Sequence, residues 1–324
     1  MINAYHSHGS VTPMAIESNP TTLAEDVVWL DLLDPTPEED RYVEQLLGIQ
    51  VPTRVELKDF EPSSRLYIEK NAVYMTASLV WKADSDSPEI TDIAFILTGG
   101  KLVTVRYADP KSFKLFTAEL CRKPAEAPWV GKMLLARLLE TIADRTAEIL
   151  ESAVLHIDEL SKEIFRPRAT RRPPQFLENK LADIAAHHRL ISKVRDSLGS
   201  LSRMLTFLLN VPQIHHHPEI EDLCKTVAHD IATLSEHAGF VSSNIGFLLD
   251  ASLGLISVEQ NSIIKIFSIA SVVFLPPTLV ASIYGMNFEH MPELSWTIGY
   301  PLALLGMVLS AVIPFFFFRW KGWL

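Results

Sequence analysis

Ile263–Tyr284 reads IIKIFSIASVVFLPPTLVASIY, and this stretch decides the architecture. It is long enough to cross a hydrocarbon layer of ~30 Å and holds one charge, Lys265, near its start. A second run, Thr297–Phe318, reads TIGYPLALLGMVLSAVIPFFFF and holds none. Two charge-poor runs joined by a short loop predict two spanning helices rather than the buried hairpin of a soluble protein. Basic residues set the direction. Lys265 stands at the entry to the first run, Arg319 and Lys321 follow the second, and the loop between has no Lys or Arg, so both ends are expected in the cytoplasm. Trp296 and Tyr300 near one boundary, with Trp320 and Trp323 near the other, fit interfacial anchors.

Stepping alternately four and three residues from Asp250 meets Gly254, Ser257, Asn261, Ile264, Ser268, Ser271, Leu275, Thr278, Ser282 and Gly285. That alternation is the period of a left-handed supercoil, so these residues share one seam of a long helix. Small residues also line dry contacts between membrane helices. Asn261 and Asp250 favour a water-filled path, because polar side chains in a span gather where they line one. Two spans cannot enclose a path, so several copies around an axis are expected. Pro276 and Pro277 remove two backbone donors in mid-span and free the carbonyls of Val272 and Val273, a break tolerated where neighbours or water satisfy them.

The chain has 324 residues, 48% of them hydrophobic, with 39 acidic against 29 basic residues and a net charge of −10. That balance argues against a nucleic-acid binder, which needs a basic face, and suits cations as partners. Cys121 and Cys224 lack any disulfide or zinc spacing. The first eighteen residues carry neither a basic n-region nor an apolar h-region, so no signal peptide is expected.

Val27 to about Asp109 reads as mixed. VVWLDLLDP, RLYIEKNAVYMTASLVW and DIAFILTGGKLVTVRY are strand-like, with Gly99-Gly100 as a hairpin turn, and Glu38–Gly48 is a capped helix. From Ser112 the pattern is helical, with a second long helix over Gln175–Asn210 and a third from Ile220 into the first span. The expected divisions are 1–110, an α/β cytoplasmic domain; 111–262, a helical region and stalk; 263–284, the first span; 285–296, an external loop; 297–318, the second span; and 319–324, a basic tail. The fold class is thus an α+β membrane protein. Nucleotide-loop and metalloprotease motifs are absent. His215, His216 and His217 read as a solvated loop, and His187 and His188 as helix surface. Asp84, Asp86, Glu89 and Asp92 cluster at a turn, read either as a solvated acidic loop or as a weak magnesium site between subunits, since hard cations take carboxylate oxygens.

The loop YGMNFEHMPELSW, Tyr284–Trp296, sits between the two spans after a long stalk helix. YGMN followed by MPEL in that position resembles the CorA family of magnesium channels, in detail over about the last seventy residues and in layout over the rest. The resemblance implies a funnel-shaped homopentamer in the bacterial inner membrane, in contact with lipids, its stalk lined by the first span. It implies Gly285, Met286 and Asn287 as the selectivity element. It also implies Asn261, Thr278 and Leu275 along the pore, with Leu275 in a hydrophobic constriction and Asp250 where some relatives place an acidic ring; the stripe adds Ser268, Ser271 and Ser282 to the pore lining. Glu289 and Glu293 would draw cations to the mouth. Magnesium is then both transported ion and cytosolic regulator, with cobalt and nickel also passing and no organic cofactor. Thr226 stands where some relatives carry an inter-subunit Asp. A proton-coupled zinc transporter of the same superfamily is the alternative, and a membrane-tethered sensor or enzyme is the alternative of another class.

Overall fold

A computed structural model describes residues 1–16, 23–59, 61–85, 87–122, 129–166, 175–215, 217–287 and 291–322. The elements in chain order are β1 (Ile2–His6), β2 (Val11–Met14), β3 (Val27–Leu33), α1 (Pro37–Leu47), α2 (Pro62–Arg65), β4 (Leu66–Glu69), β5 (Ala72–Trp81), β6 (Glu89–Thr98), β7 (Lys101–Arg106), α3 (Lys111–Arg122), α4 (Gly131–Ile164), α5 (Phe176–Leu209), α6 (Pro212–His215), α7 (Pro218–Tyr284) and α8 (Gly299–Trp320). They form two units, Met1–Leu249 and Asp250–Leu324.

The first unit is built on a seven-stranded sheet ordered β2-β1-β3-β7-β6-β5-β4. Only β3 and β7 pair in parallel; every other neighbouring pair is antiparallel. Gly99 and Gly100 turn β6 into β7 with φ of 53° and 80°, a backbone that side chains with a Cβ resist. Lys70 and Asn71, also at positive φ, turn β4 into β5 and divide what reads in sequence as one apolar run. Strands β1 and β2 precede Val27, where the strand-like pattern of the sequence begins.

Alternation along the strands separates two apolar layers. Ile2, Leu30, Leu32, Ile96, Val103 and Val105 pack with Tyr42 and Val43 of α1 on one face. On the other, Trp29 and Phe95 meet Phe113, with ring centroids 6.4 Å apart in each pair. A polar network crosses this second layer. Trp29 Nε1 donates to Thr104 Oγ1 at 2.9 Å, Thr104 Oγ1 donates to Asp31 at 2.7 Å, and Arg106 holds both Asp31 oxygens. Asp31 is wholly buried and Arg106 is 5% exposed.

Helix α1 begins with a capping box. Glu39 N donates to Thr36 Oγ1 at 3.3 Å and Thr36 N donates to Glu39 Oε2 at 2.9 Å. Asp40, one residue on, has a buried oxygen with no partner. Its carboxyl is pushed up to about 6 by burial and by the neighbouring Glu44 and Glu39 carboxylates. A carboxyl so raised binds its proton more tightly folded than unfolded; its favourable contribution is complete below the unfolded value of 3.8 and is lost as pH rises through about 6. Asp40→Asn should therefore raise stability at pH ~7 by about 1 kcal/mol, after allowance for solvent screening, and change little at pH ~3.5. Melts of the two proteins at both pH values check this.

Candidate ion pathway

Helix α7 runs unbroken for 67 residues, about 100 Å at 1.5 Å per residue. Its buried positions in the first unit are Ile220, Cys224, Val227, Ile231, Ala238, Val241, Ile245 and Leu248, a four-three series against the rest of that unit. Phe247 stacks on Phe165 at 6.2 Å, and Arg195 Nη1 donates to Ser242 Oγ at 3.5 Å.

In the second unit, the spanning part of α7 is half-buried only at Ile269, Ala270, Val273, Pro276, Pro277 and Val280. The half-buried positions of α8 are mainly small: Gly299, Ala303, Gly306, Met307, Ser310, Ala311, Pro314 and Phe318. Small residues let helix backbones approach closely in a membrane. Lys265, Ser268, Ile269, Val272 and Phe318 border one cavity of about 490 Å³, so Ser268 stands at the edge between this side of the helix pair and the other.

The predicted stripe lies on the other side. Ser268, Ser271, Leu275, Thr278 and Ser282 are all exposed. At 100° per residue their mean direction falls roughly 175° from that of the six half-buried positions. Asp250 and Asn261, earlier on the same helix, are exposed too. Ser271 Oγ donates to the Phe267 carbonyl at 2.9 Å and Thr278 Oγ1 to the Phe274 carbonyl at 2.7 Å. Both hydroxyl protons are thus turned onto the backbone, which leaves oxygen lone pairs outward as acceptors.

Helix α7 stops at Tyr284. Gly285 N still donates to the Ala281 carbonyl at 3.0 Å, and Met286 N to the Ile283 carbonyl at 3.3 Å. A Cβ on Gly285 would lie 3.2 Å from the Ala281 oxygen, so the glycine gives this last turn its close approach. Met286 and Asn287 follow outside the helix, both exposed. Glu289 lies outside the described residues, as does the side chain of Glu293.

The acidic turn does not form a cage. Asp84 receives Arg145 Nη2 at 2.8 Å on both oxygens and Lys111 Nζ at 3.4 Å. Burial raises the Asp84 carboxyl, but Arg145 and then Lys111 together outweigh it and hold the group below the usual carboxylate range. Glu89 pairs with Lys82 at 2.9 Å, and Asp92 with Arg65 and with Ser78 Oγ at 2.6 Å. Asp86 lies outside the described residues. Each described carboxylate is matched by its own cation, and among the described residues no group of three or more His, Cys, Asp or Glu could hold a metal. The sequence carries no mark of these pairings, because Arg65, Lys111 and Arg145 come from separate elements.

A family model described as CorA-like Mg2+ transporter protein matches residues 24–320. The chain belongs to the CorA family. It is 33% identical over 311 residues to the magnesium transport protein CorA of Haemophilus ducreyi, covering 96% of each chain. The complete structure of the CorA magnesium transporter from Methanocaldococcus jannaschii is similar with a TM-score of 0.75 and 20% identity, covering 100% of this chain and 99% of that one. The ZntB cytoplasmic domain from Vibrio parahaemolyticus is similar over 79% of this chain and 98% of that one, with a TM-score of 0.58 and 12% identity. Likeness at 12% identity speaks to the fold alone. Membership in CorA makes the chain an inner-membrane magnesium transporter with two spanning helices, and not an enzyme.

Proposed function

We propose that the chain is a passive, potential-driven channel for magnesium uptake, formed by five copies with the stripe of α7 around the axis. The observation that carries this reading is the opposition of the two faces of the first span: a row of Ser and Thr, broken by Leu275, stands free on one, while the half-buried positions lie on the other. A single chain has no use for an exposed row of Ser, Thr and Asn in lipid. Copies arranged with α8 outward would turn that row to water.

Magnesium holds its waters tightly and prefers octahedral oxygen coordination. A ring of Asn287 amides would hydrogen-bond to those waters rather than replace them, so selection would act on the hydrated ion. Gly285 and Met286 would set the position of that ring at the helix end. Glu289 and Glu293, repeated around the axis, would concentrate cations at the mouth. Leu275, 65% exposed, would supply the apolar constriction. An inward-negative potential contributes about 4.6 kcal/mol per 100 mV for a divalent ion, so no hydrolysis is needed. Cobalt and nickel, of the same charge, are included as permeant ions. Cytosolic magnesium would close the channel from a site other than Asp84, Glu89 and Asp92, whose carboxylates Arg145, Lys111, Lys82 and Arg65 already hold.

Reconstituted protein tests the reading against proton-coupled zinc transport. Magnesium entry should rise with an imposed inside-negative potential and ignore a pH gradient. Entry of zinc, but not magnesium, driven by a pH gradient would overturn it.

A further inference from the structure

Helices α4 and α5 pack side by side, and cross-helix contacts fix their register. Glu163 accepts Lys180 at 2.7 Å, and seven residues earlier on α4 and seven later on α5 His156 faces His187, ring centroids 5.5 Å apart and planes at 33°. The sequence alone presents His187 as plain helix surface, because its partner lies thirty-one residues earlier in the chain.

The hydrogen bonds fix the proton on each ring. His156 Nδ1 lies 2.7 Å from the Ser152 carbonyl, and His187 Nδ1 lies 2.9 Å from the Asp183 carbonyl. A carbonyl only accepts, so each Nδ1 carries hydrogen, and in the neutral imidazole the lone pair then sits on Nε2. Neither Nε2 has a partner among the described residues. His156 is exposed and His187 half-buried, so an ion has access from solvent.

Ligating histidines almost always donate their second ring N–H to a carbonyl or carboxylate, which holds tautomer and ring orientation. Both rings meet that condition before any ion arrives. With metal–nitrogen distances of about 2.0–2.1 Å, two imidazoles on one ion have centroids about 4.5–5.5 Å apart. The observed separation falls at the upper end of that range.

We propose that His156 and His187 bind one imidazole-preferring divalent cation, of the nickel, cobalt or zinc class, as a clamp between α4 and α5. Imidazole suits these ions, whereas magnesium takes oxygen ligands and keeps its water. No third His, Cys, Asp or Glu joins the pair among the described residues, so water completes the coordination and binding is reversible. The clamp would tie the two helices together in response to transition metal, apart from magnesium. It lies wholly in the first unit and depends on neither the pathway nor its selectivity.

The test uses the full-length chain in detergent, free of any affinity tag, with His215→Ala, His216→Ala and His217→Ala introduced to remove these three adjacent histidines as rival ligands. Equilibrium dialysis against nickel should give one ion per chain, not displaced by excess magnesium. His156→Ala or His187→Ala should each weaken binding at least as much as loss of an outer-shell partner does, roughly 10–100-fold. X-ray absorption of the nickel complex should count two imidazole nitrogens, falling to one in either variant, with helix content unchanged by circular dichroism. No nickel binding in the starting protein, or unaltered affinity in either variant, would overturn the proposal.

Discussion

Asn287→Ala is expected to lower magnesium flux through reconstituted protein by roughly 10–100-fold, while leaving size-exclusion behaviour unchanged. The residue follows the last turn of α7, exposed and outside any helix, so its side chain has no packing role in the second unit. Its amide offers both a donor and an acceptor. A hydrogen bond involving a charged partner is worth about 1.5–3 kcal/mol net, so losing one such contact at the proposed Asn287 ring would cost that order in flux. Asn287→Asp keeps the acceptors and adds charge, and should retain binding of magnesium while slowing its release. Ion flux and size-exclusion behaviour of the variants, compared with wild type, separate a transport defect from misassembly. Unaltered flux in the alanine variant would remove Asn287 from the selectivity element.

Arg106→Met should destabilise the first unit by about 3–5 kcal/mol, because it leaves the Asp31 carboxylate buried with its charge unmatched. Arg106 places Nε 3.0 Å from Asp31 Oδ1 and Nη2 2.8 Å from Oδ2, while its Nη1 reaches Asp109 at 2.6 Å. Its guanidinium also lies over the Phe113 ring at 4.6 Å, linking β7 to α3. The parallel pairing of β3 with β7 sits between these groups. Hydrogen exchange at β3 and β7 amides should therefore accelerate more than at β4 or β5. Adding Asp31→Asn to Arg106→Met should recover part of the loss by removing the unpaired charge. Equal acceleration everywhere, or no recovery, would show that the ion pair does not hold this layer.

Both spans, the stripe and the long helices were legible because their signals are periodic and local. Apolar runs need only length, and a four-three series needs only one helix. The capped helix at Thr36 was legible for the same reason, since its cap is closed by a neighbour three residues on. Strands β1 and β2 escaped because each is short, and β2, with Pro13 inside it, is an edge strand of the kind that tolerates proline. Contacts made across the fold left no local mark. The pairing of Asp84 with Arg145 joins residues sixty-one apart, and nothing in the acidic turn itself announces a cation. The His156–His187 pair escaped for a related reason, because each histidine alone is an ordinary helix-surface residue.

The most direct measurement of the central claim compares the two faces of the first span by cysteine accessibility. Cys121 is exposed and Cys224 buried, so Cys121→Ser gives a quiet background. Ser271→Cys and Ser282→Cys on the stripe should react with a charged, water-borne thiol reagent and lose magnesium flux on reaction. Val273→Cys and Val280→Cys on the opposite face should stay unmodified and keep it. Blockade from the Val273 and Val280 positions with none from Ser271 and Ser282 would place the pathway on the wrong face and contradict the account.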